Sequence, residues 1–260
     1  MNPSRDGHRI AFEGAHNFRD VGGYAGFDGR IVRRGLIYRS DNLNTLTDAD
    51  LERFGRMGLK VVYDFRLAVE RERQPSRLPE AGPDVVLLAT GDAGIGEAIV
   101  DIVIDALAGR RPFPEPEFWE ESYENMVDQA RPMFVELLGG LACRERIPAM
   151  YHCTAGKDRT GIATALLHRL LGVAEADIID DFLLTNDYRV PKRMDALRPQ
   201  LAAIGISDEE ALPVVGVKAA ALERALKKID ATWGGAEQYL IDGGLDADAP
   251  QGLRDLLLEP

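Results

Sequence analysis

Short apolar runs alternate with helical spacing as far as residue 171, and beyond it only helical spacing remains. Leu59–Phe65 (LKVVYDF) is the clearest strand, apolar and β-branched, ending on a charged cluster. Asp84–Leu88 (DVVLL) and Ile147–His152 (IPAMYH) read as further strands, and Arg30–Ser40 as two short strand-like runs split by Gly35. Thr47 is a suitable N-cap for a helix that sets Leu51, Phe54 and Met57 on one face and stops at Gly58. Thr160–Leu171 places Ile162, Ala163, Leu166, Leu167, Leu170 and Leu171 at helical spacing, with Gly172 as its stop. Residues up to Glu13 read as an arm, and His16–Tyr24 (HNFRDVGGY) as a turn-dense loop rather than a strand. Arg66–Arg73 opens a helix before Pro75. Helical spacing then covers 94–108 and, after a proline-rich break, 117–141, where Pro132 marks a kink or a start. Further helices are predicted over 174–187, 191–204, 207–212, 217–231, 236–241 and 250–258.

This order predicts one α/β domain over residues 1–260, a small, mostly parallel sheet flanked by helices. A helical insertion over roughly 90–140 either covers a cleft as a lid or packs on the sheet, and 189–260 forms a helical C-terminal part. The length suffices for a sizeable core, and 45% hydrophobic residues is ordinary for a globular chain. No apolar run approaches the roughly 18 residues of a membrane span. The first residues lack the apolar stretch of a secretory signal, so the expectation is a cytoplasmic protein, with export by another route leaving no mark in the sequence. The two cysteines, Cys143 and Cys153, give no disulfide framework. A net charge of −12 argues against a nucleic-acid or anionic-membrane binder held by its overall field. Phosphate affinity must therefore come from a local site.

One stretch supplies such a site. Between the strand ending at His152 and the helix beginning near Thr160 lies Cys153-Thr-Ala-Gly-Lys-Asp-Arg159. A strand–loop–helix junction aims loop amides and a helix N-terminus at one point, where an anion is favoured. Five residues separate Cys153 from Arg159, so the loop can curl and turn both side chains to the same anion. The amides from Thr154 to Arg159, the Arg159 guanidinium and the Thr160 hydroxyl can stabilise a Cys153 thiolate. Arginine and amides equally suit a phosphoryl group, making Thr154, Ala155, Gly156, Lys157 and Arg159 the candidate phosphate-binding set. Cys153 is then the nucleophile of a two-step phosphoryl transfer. Asp158 is placed to protonate the leaving oxygen, with Asp64 at the end of the clearest strand as its rival. His152 reads as a brace for the loop, and Arg66 and Arg19 as groups bordering the pocket or serving structure. The four histidines show no metal-ligand spacing, so no metal and no cofactor is expected. AGKDRTG lacks the Ser or Thr after lysine that a nucleotide-binding loop needs, and GYAGFDG joins no strand to a helix.

HCTAGKDRTG (His152–Gly161) resembles the signature of the Cys-x5-Arg protein tyrosine phosphatase superfamily, and the Lys157–Asp158 pair narrows this to bacterial tyrosine and dual-specificity phosphatases reading HCxxGKDRTG. NFRDVGGY, VVYDFR with VERERQPS, DDFLLTNDY and VKAAALERALKKIDATWGGAEQYL are similar to further parts of that family. The resemblance implies a protein tyrosine phosphatase-like fold, no metal, a Cys153 nucleophile, Arg159 as phosphate clamp and Asp158 as general acid in place of a mobile Trp-Pro-Asp loop, a tripeptide absent here. It also implies phosphotyrosine protein substrates, and phosphoinositides through the lysine at position 157. Two other classes stay open: a thiol redox or arsenate reductase-like protein using Cys153 with Cys143, and a phosphate-binding pseudophosphatase.

Overall fold

The computed structural model describes residues 7–88, 105–106, 108–112 and 114–259. Strands β1 (Arg19–Asp20), β3 (Ile37–Ser40), β6 (Ala149–His152), β4 (Val61–Asp64) and β5 (Asp84–Leu87) form one sheet in that spatial order. β3, β6, β4 and β5 run parallel, and only the edge strand β1 is antiparallel. The register puts His152 beside both Ser40 and Asp64, so three parallel strands end level and the loop after β6 leaves from the centre of the C-terminal edge. Ligand sites of open parallel sheets sit at that edge.

Alternation along the strands divides the core. Ile37, Val61, Tyr63, Ala149 and Tyr151 point to one face and join the larger apolar cluster, while Tyr38, Val62 and Met150 join the smaller. The larger face is covered by α3 (Pro116–Gln129), α4 (Arg131–Leu141), α5 (Asp158–Leu170), α6 (Glu175–Tyr188), α9 (Ala219–Trp233), α10 (Ala236–Ile241) and α11 (Ala249–Leu257). The smaller carries α1 (Asp48–Arg56) and the N-terminal segment. α5 is buried almost all round, as a central helix must be. α7 (Val190–Ala203) and α8 (Asp208–Val215) pack a separate cluster around Met194, Leu197 and Leu201. No helix among the described residues is long and apolar enough to cross a membrane.

Several expectations change in the structure. The described part of the arm, from residue 7, is docked: Phe12 lies against Phe18 at 4.5 Å between ring centroids, and Asp50 accepts from the amides of Glu13 and Gly14. The same carboxylate completes the Thr47 capping box of α1, so one side chain ties the arm to a helix start. The turn-dense segment gives a two-residue strand at Arg19–Asp20, and the C-terminus adds β7 (Leu258–Glu259), which pairs with β2 (Ile31–Val32). The charged 66–73 stretch does open a helix, α2 (Ala68–Arg73), and Pro132 stands at the start of α4. α4 sets Phe134, Leu137, Leu138 and Leu141 in the core, and α3 lies along α9. The helix expected over 94–108 falls, but for its last residues, outside the described ones.

Candidate active site

The loop between β6 and α5 is shaped by what happens to its carbonyls. The Asn42 amide donates to Thr154 O at 3.2 Å, and the Asn17 side-chain amide to Ala155 O at 3.4 Å and Gly156 O at 2.8 Å. Arg39 Nη2 adds a bond to Gly156 O at 3.0 Å. In a trans peptide the N–H points opposite to the C=O. Turning three consecutive carbonyls outward therefore turns the amides of Ala155, Gly156 and Lys157 inward. Gly156 makes the curl possible at φ +64°, and a Cβ there would collide with the Ser40 carbonyl. Its N–H lies 3.2 Å from Cys153 Sγ. The sulfur is buried, 2% exposed, with the α5 N-terminus beyond it. This is an anion cradle with a thiol in its centre.

Arg159 stands one residue into α5. Its Nη1 donates to Phe65 O at 2.8 Å and to Glu70 Oε2 at 2.9 Å, and its Nη2 to Glu70 Oε1 at 2.9 Å. Burial alone would lower its pKa, but the Cys153 sulfur and the Glu70 carboxylate prevail and raise it. Glu70 also accepts from the Thr154 hydroxyl and from the Leu67 amide. Against the upward push of burial, Arg159 first and then Thr154 and Leu67 hold its carboxyl below the usual range. Glu70 thus joins α2, the loop and the arginine.

Asp158 and Lys157 meet α3. Tyr123 Oη donates to Asp158 Oδ1 at 2.7 Å, and Lys157 Nζ lies 3.4 Å from the same oxygen. Lys157, one of the candidate phosphate-binding residues, is buried: Nζ donates to Gly216 O at 3.1 Å and sits 5.7 Å from the Trp119 ring centroid. Burial lowers its pKa, opposed by Asp158.

The other predicted residues divide. His152 is fully buried beneath the loop, its Nδ1 3.2 Å from Cys153 O and its Nε2 3.8 Å from Asp64 Oδ2; burial lowers its pKa and favours the neutral ring. The Thr160 hydroxyl is buried with no hydrogen-bond partner among the described residues. Asp64 and Arg66 are engaged with each other: Nε to Oδ1 at 2.9 Å and Nη2 to Oδ2 at 2.7 Å, with Arg66 also holding Gln74 O and Ser76 Oγ. Burial would raise the Asp64 carboxyl, but Arg66 keeps it low and ionised. Arg19 lies behind the loop, not at its mouth. Arg19 and Arg39 both bond to Asp181, at 3.1 and 2.8 Å, in a buried triad whose Arg39 reaches Gly156 O and whose Arg19 holds Asn17 Oδ1 at 2.6 Å.

Sequence reasoning missed Glu70, Asn17, Arg39, Asp181 and Tyr123. Glu70, Asn17 and Asp181 stand in VERERQPS, NFRDVGGY and DDFLLTNDY, segments already set apart by resemblance, but nothing local assigned them a contact. Cys143 is exposed, before β6, and its thiol lies 3.1 Å from Glu145 Oε2. Among the described residues no cluster of three or more His, Cys, Asp or Glu side chains is placed to hold a metal ion.

The sequence profile of the tyrosine phosphatase family matches residues 10–259. A Cupriavidus necator protein provisionally named a tyrosine-protein phosphatase is 33% identical over 244 residues, 94% of this chain and 86% of that protein. The triple specificity protein phosphatase PtpB of Mycobacterium tuberculosis is 31% identical over 279 residues, 94% of this chain and 97% of its own. Among solved structures, that of P. aeruginosa TpbA aligns with 76% of this chain and 89% of its own at 16% identity and a TM-score of 0.34.

Proposed function

The chain belongs to the tyrosine phosphatase family, and we propose that it hydrolyses phosphotyrosine through a covalent phosphocysteine at Cys153, without a metal ion. The inward-turned loop carries this reading: its carbonyls are tied outward while the Gly156 N–H meets the Cys153 sulfur. Donors fixed before the substrate arrives cost no reorganisation when charge moves, and here they face the one nucleophile.

In the first step the Cys153 thiolate attacks phosphorus, the ester P–O bond breaks, and Asp158 gives its proton to the departing oxygen. The loop amides and Arg159 hold the equatorial phosphoryl oxygens throughout. In the second, water attacks phosphorus and passes a proton to the Asp158 carboxylate as the S–P bond breaks, restoring the thiolate and releasing phosphate. The positive charge that a metal would supply comes from Arg159 and oriented amides. Asp64 suits the acid's role poorly, because both its oxygens are taken by Arg66 and its carboxyl is kept ionised.

A phosphoinositide range is the finer part of the reading. It rests on Lys157, a second cation beside Cys153, whose ammonium would have to exchange Gly216 O for a neighbouring phosphate. The redox alternative is disfavoured by the placement of the two thiols. Both cysteines are free, Cys143 exposed with its thiol against Glu145 and Cys153 buried in the loop.

Aryl phosphate hydrolysis in the presence of a chelator tests the core reading. Cys153→Ser should abolish turnover, while Cys143→Ser and the chelator leave it intact. Dependence on both cysteines would mean redox chemistry; retained phosphopeptide binding without any turnover by the wild type would mean a binding module.

A further inference from the structure

We propose that Tyr123 is a positioning residue for proton transfer: from α3 its hydroxyl holds Oδ1 of Asp158, so that Oδ2 carries the proton to the leaving oxygen. The inference rests on the reading of Asp158 as the general acid.

Two side chains one turn apart on α3 meet the Lys157–Asp158 pair. Trp119 underlies the Lys157 ammonium, and Tyr123 donates to Asp158 at 2.7 Å. Among the described residues, the contacts from Tyr123 Oη and from Lys157 Nζ at 3.4 Å both fall on Oδ1. A proton on Oδ1 would face two donors, so the neutral acid carries it on Oδ2. Proton transfer demands that this oxygen lie within hydrogen-bond reach of the ester oxygen, and Asp has two torsions with which to miss. Asp158 heads α5 and keeps partial exposure, so its own helix does not restrain it. Tyr123 is itself restrained: it is 4% exposed, with the Phe182 ring edge-on at 6.0 Å. Burial and the Asp158 and Cys153 charges drive its phenol pKa upward, so the hydroxyl stays a donor at any working pH.

A buried tyrosine needs a partner for its hydroxyl, and Asp158 could serve only that need. Kinetics separates the two roles. Tyr123→Phe keeps the ring and removes the donor. The expected result is a roughly tenfold fall in kcat/KM for an alkyl-substituted phenyl phosphate, a poor leaving group, with little change for a nitrophenyl phosphate that needs no acid. Site-specific fluorotyrosine at 123 keeps both the ring and the donor and should hold the rate on the poor leaving group at the wild-type level. Asp158→Asn is run in parallel, and adding Tyr123→Phe to it should cost nothing further. If Asp158→Asn shows the leaving-group dependence but Tyr123→Phe does not, the positioning role is wrong and the acid stands. If Asp158→Asn slows both esters equally, the acid assignment falls and takes this inference with it.

Discussion

Arg159 and Glu70 face each other fork to fork, two N–H···O bonds of 2.9 Å in parallel, across the gap between α5 and α2. The pair is mostly buried, and Glu70 spends its remaining capacity on Thr154 and Leu67. A bidentate pair fixes the plane of a guanidinium, and with it the direction of the N–H groups left over for a substrate. Glu70→Gln should keep the volume but release that plane. We expect kcat/KM for aryl phosphates to fall by about 10²-fold, the cost of misplacing a clamp by an ångström or so. Stability should drop by about 1–3 kcal/mol. Steady-state kinetics and a denaturant melt read both. Unchanged kcat/KM would mean that Arg159 is held by Phe65 O alone.

How much of this the sequence displayed depends on distance along the chain. The strand–loop–helix around Cys153 is local: an apolar run, a glycine able to take φ +64°, and a helical repeat lie within 25 residues, so pattern alone locates it. Thr47 as the N-cap of α1 was legible for the same reason. Glu70 and Asp181 were not. Each acts on a residue 89 or 142 positions away, and no periodicity records such a partner. The motif located Lys157 but not its burial, because the Gly216 carbonyl and the Trp119 ring that let it go inside come from distant parts of the chain. The short strands β1 and β7 gain their pairing from neighbours rather than from length or composition.

Lys157→Ala separates lipid from aryl substrates. If the ammonium serves a second phosphate, turnover of a phosphoinositide should fall by at least tenfold more than turnover of phosphotyrosine, one lost charge-assisted contact being worth about 1.5–3 kcal/mol. Both rates fall together if Lys157 only braces Asp158 against Trp119. Parallel assays on a soluble short-chain phosphoinositide and on a phosphotyrosine peptide decide it.

Asp181 links stability to pH. Burial pushes its carboxyl up, but Arg19 and Arg39 on either side push it further down, below the ordinary carboxylate value. A depressed folded-state pKa means that the unfolded chain binds the proton first. The group's contribution is therefore complete above about pH 4 and is lost as pH falls through the folded-state value. Asp181→Asn leaves two buried guanidinium groups uncompensated and should cost about 3–5 kcal/mol at neutral pH. The gap between wild type and variant, measured by urea unfolding from pH 7 downward, should narrow only below about pH 4. A gap independent of pH would show that the triad's charge contributes nothing and that shape alone matters.

Gly156→Ala strikes the curl of the loop directly. A φ of +64° costs an alanine about 1 kcal/mol or more, and the added methyl would also lie 2.6 Å from the Asp41 amide nitrogen, which belongs to backbone and cannot swing aside. The peptide is expected to rotate, and rotation breaks the bonds from Asn17 and Arg39 to Gly156 O while turning the Gly156 N–H off the sulfur. Activity should fall by about 10²–10³-fold, as when an anion-stabilising donor is removed. The Cys153 thiol, deprived of a donor, should react more slowly with iodoacetamide at neutral pH. A variant that lost activity but kept the wild-type alkylation profile would separate the phosphate from the thiolate, and the amides would then serve only the substrate.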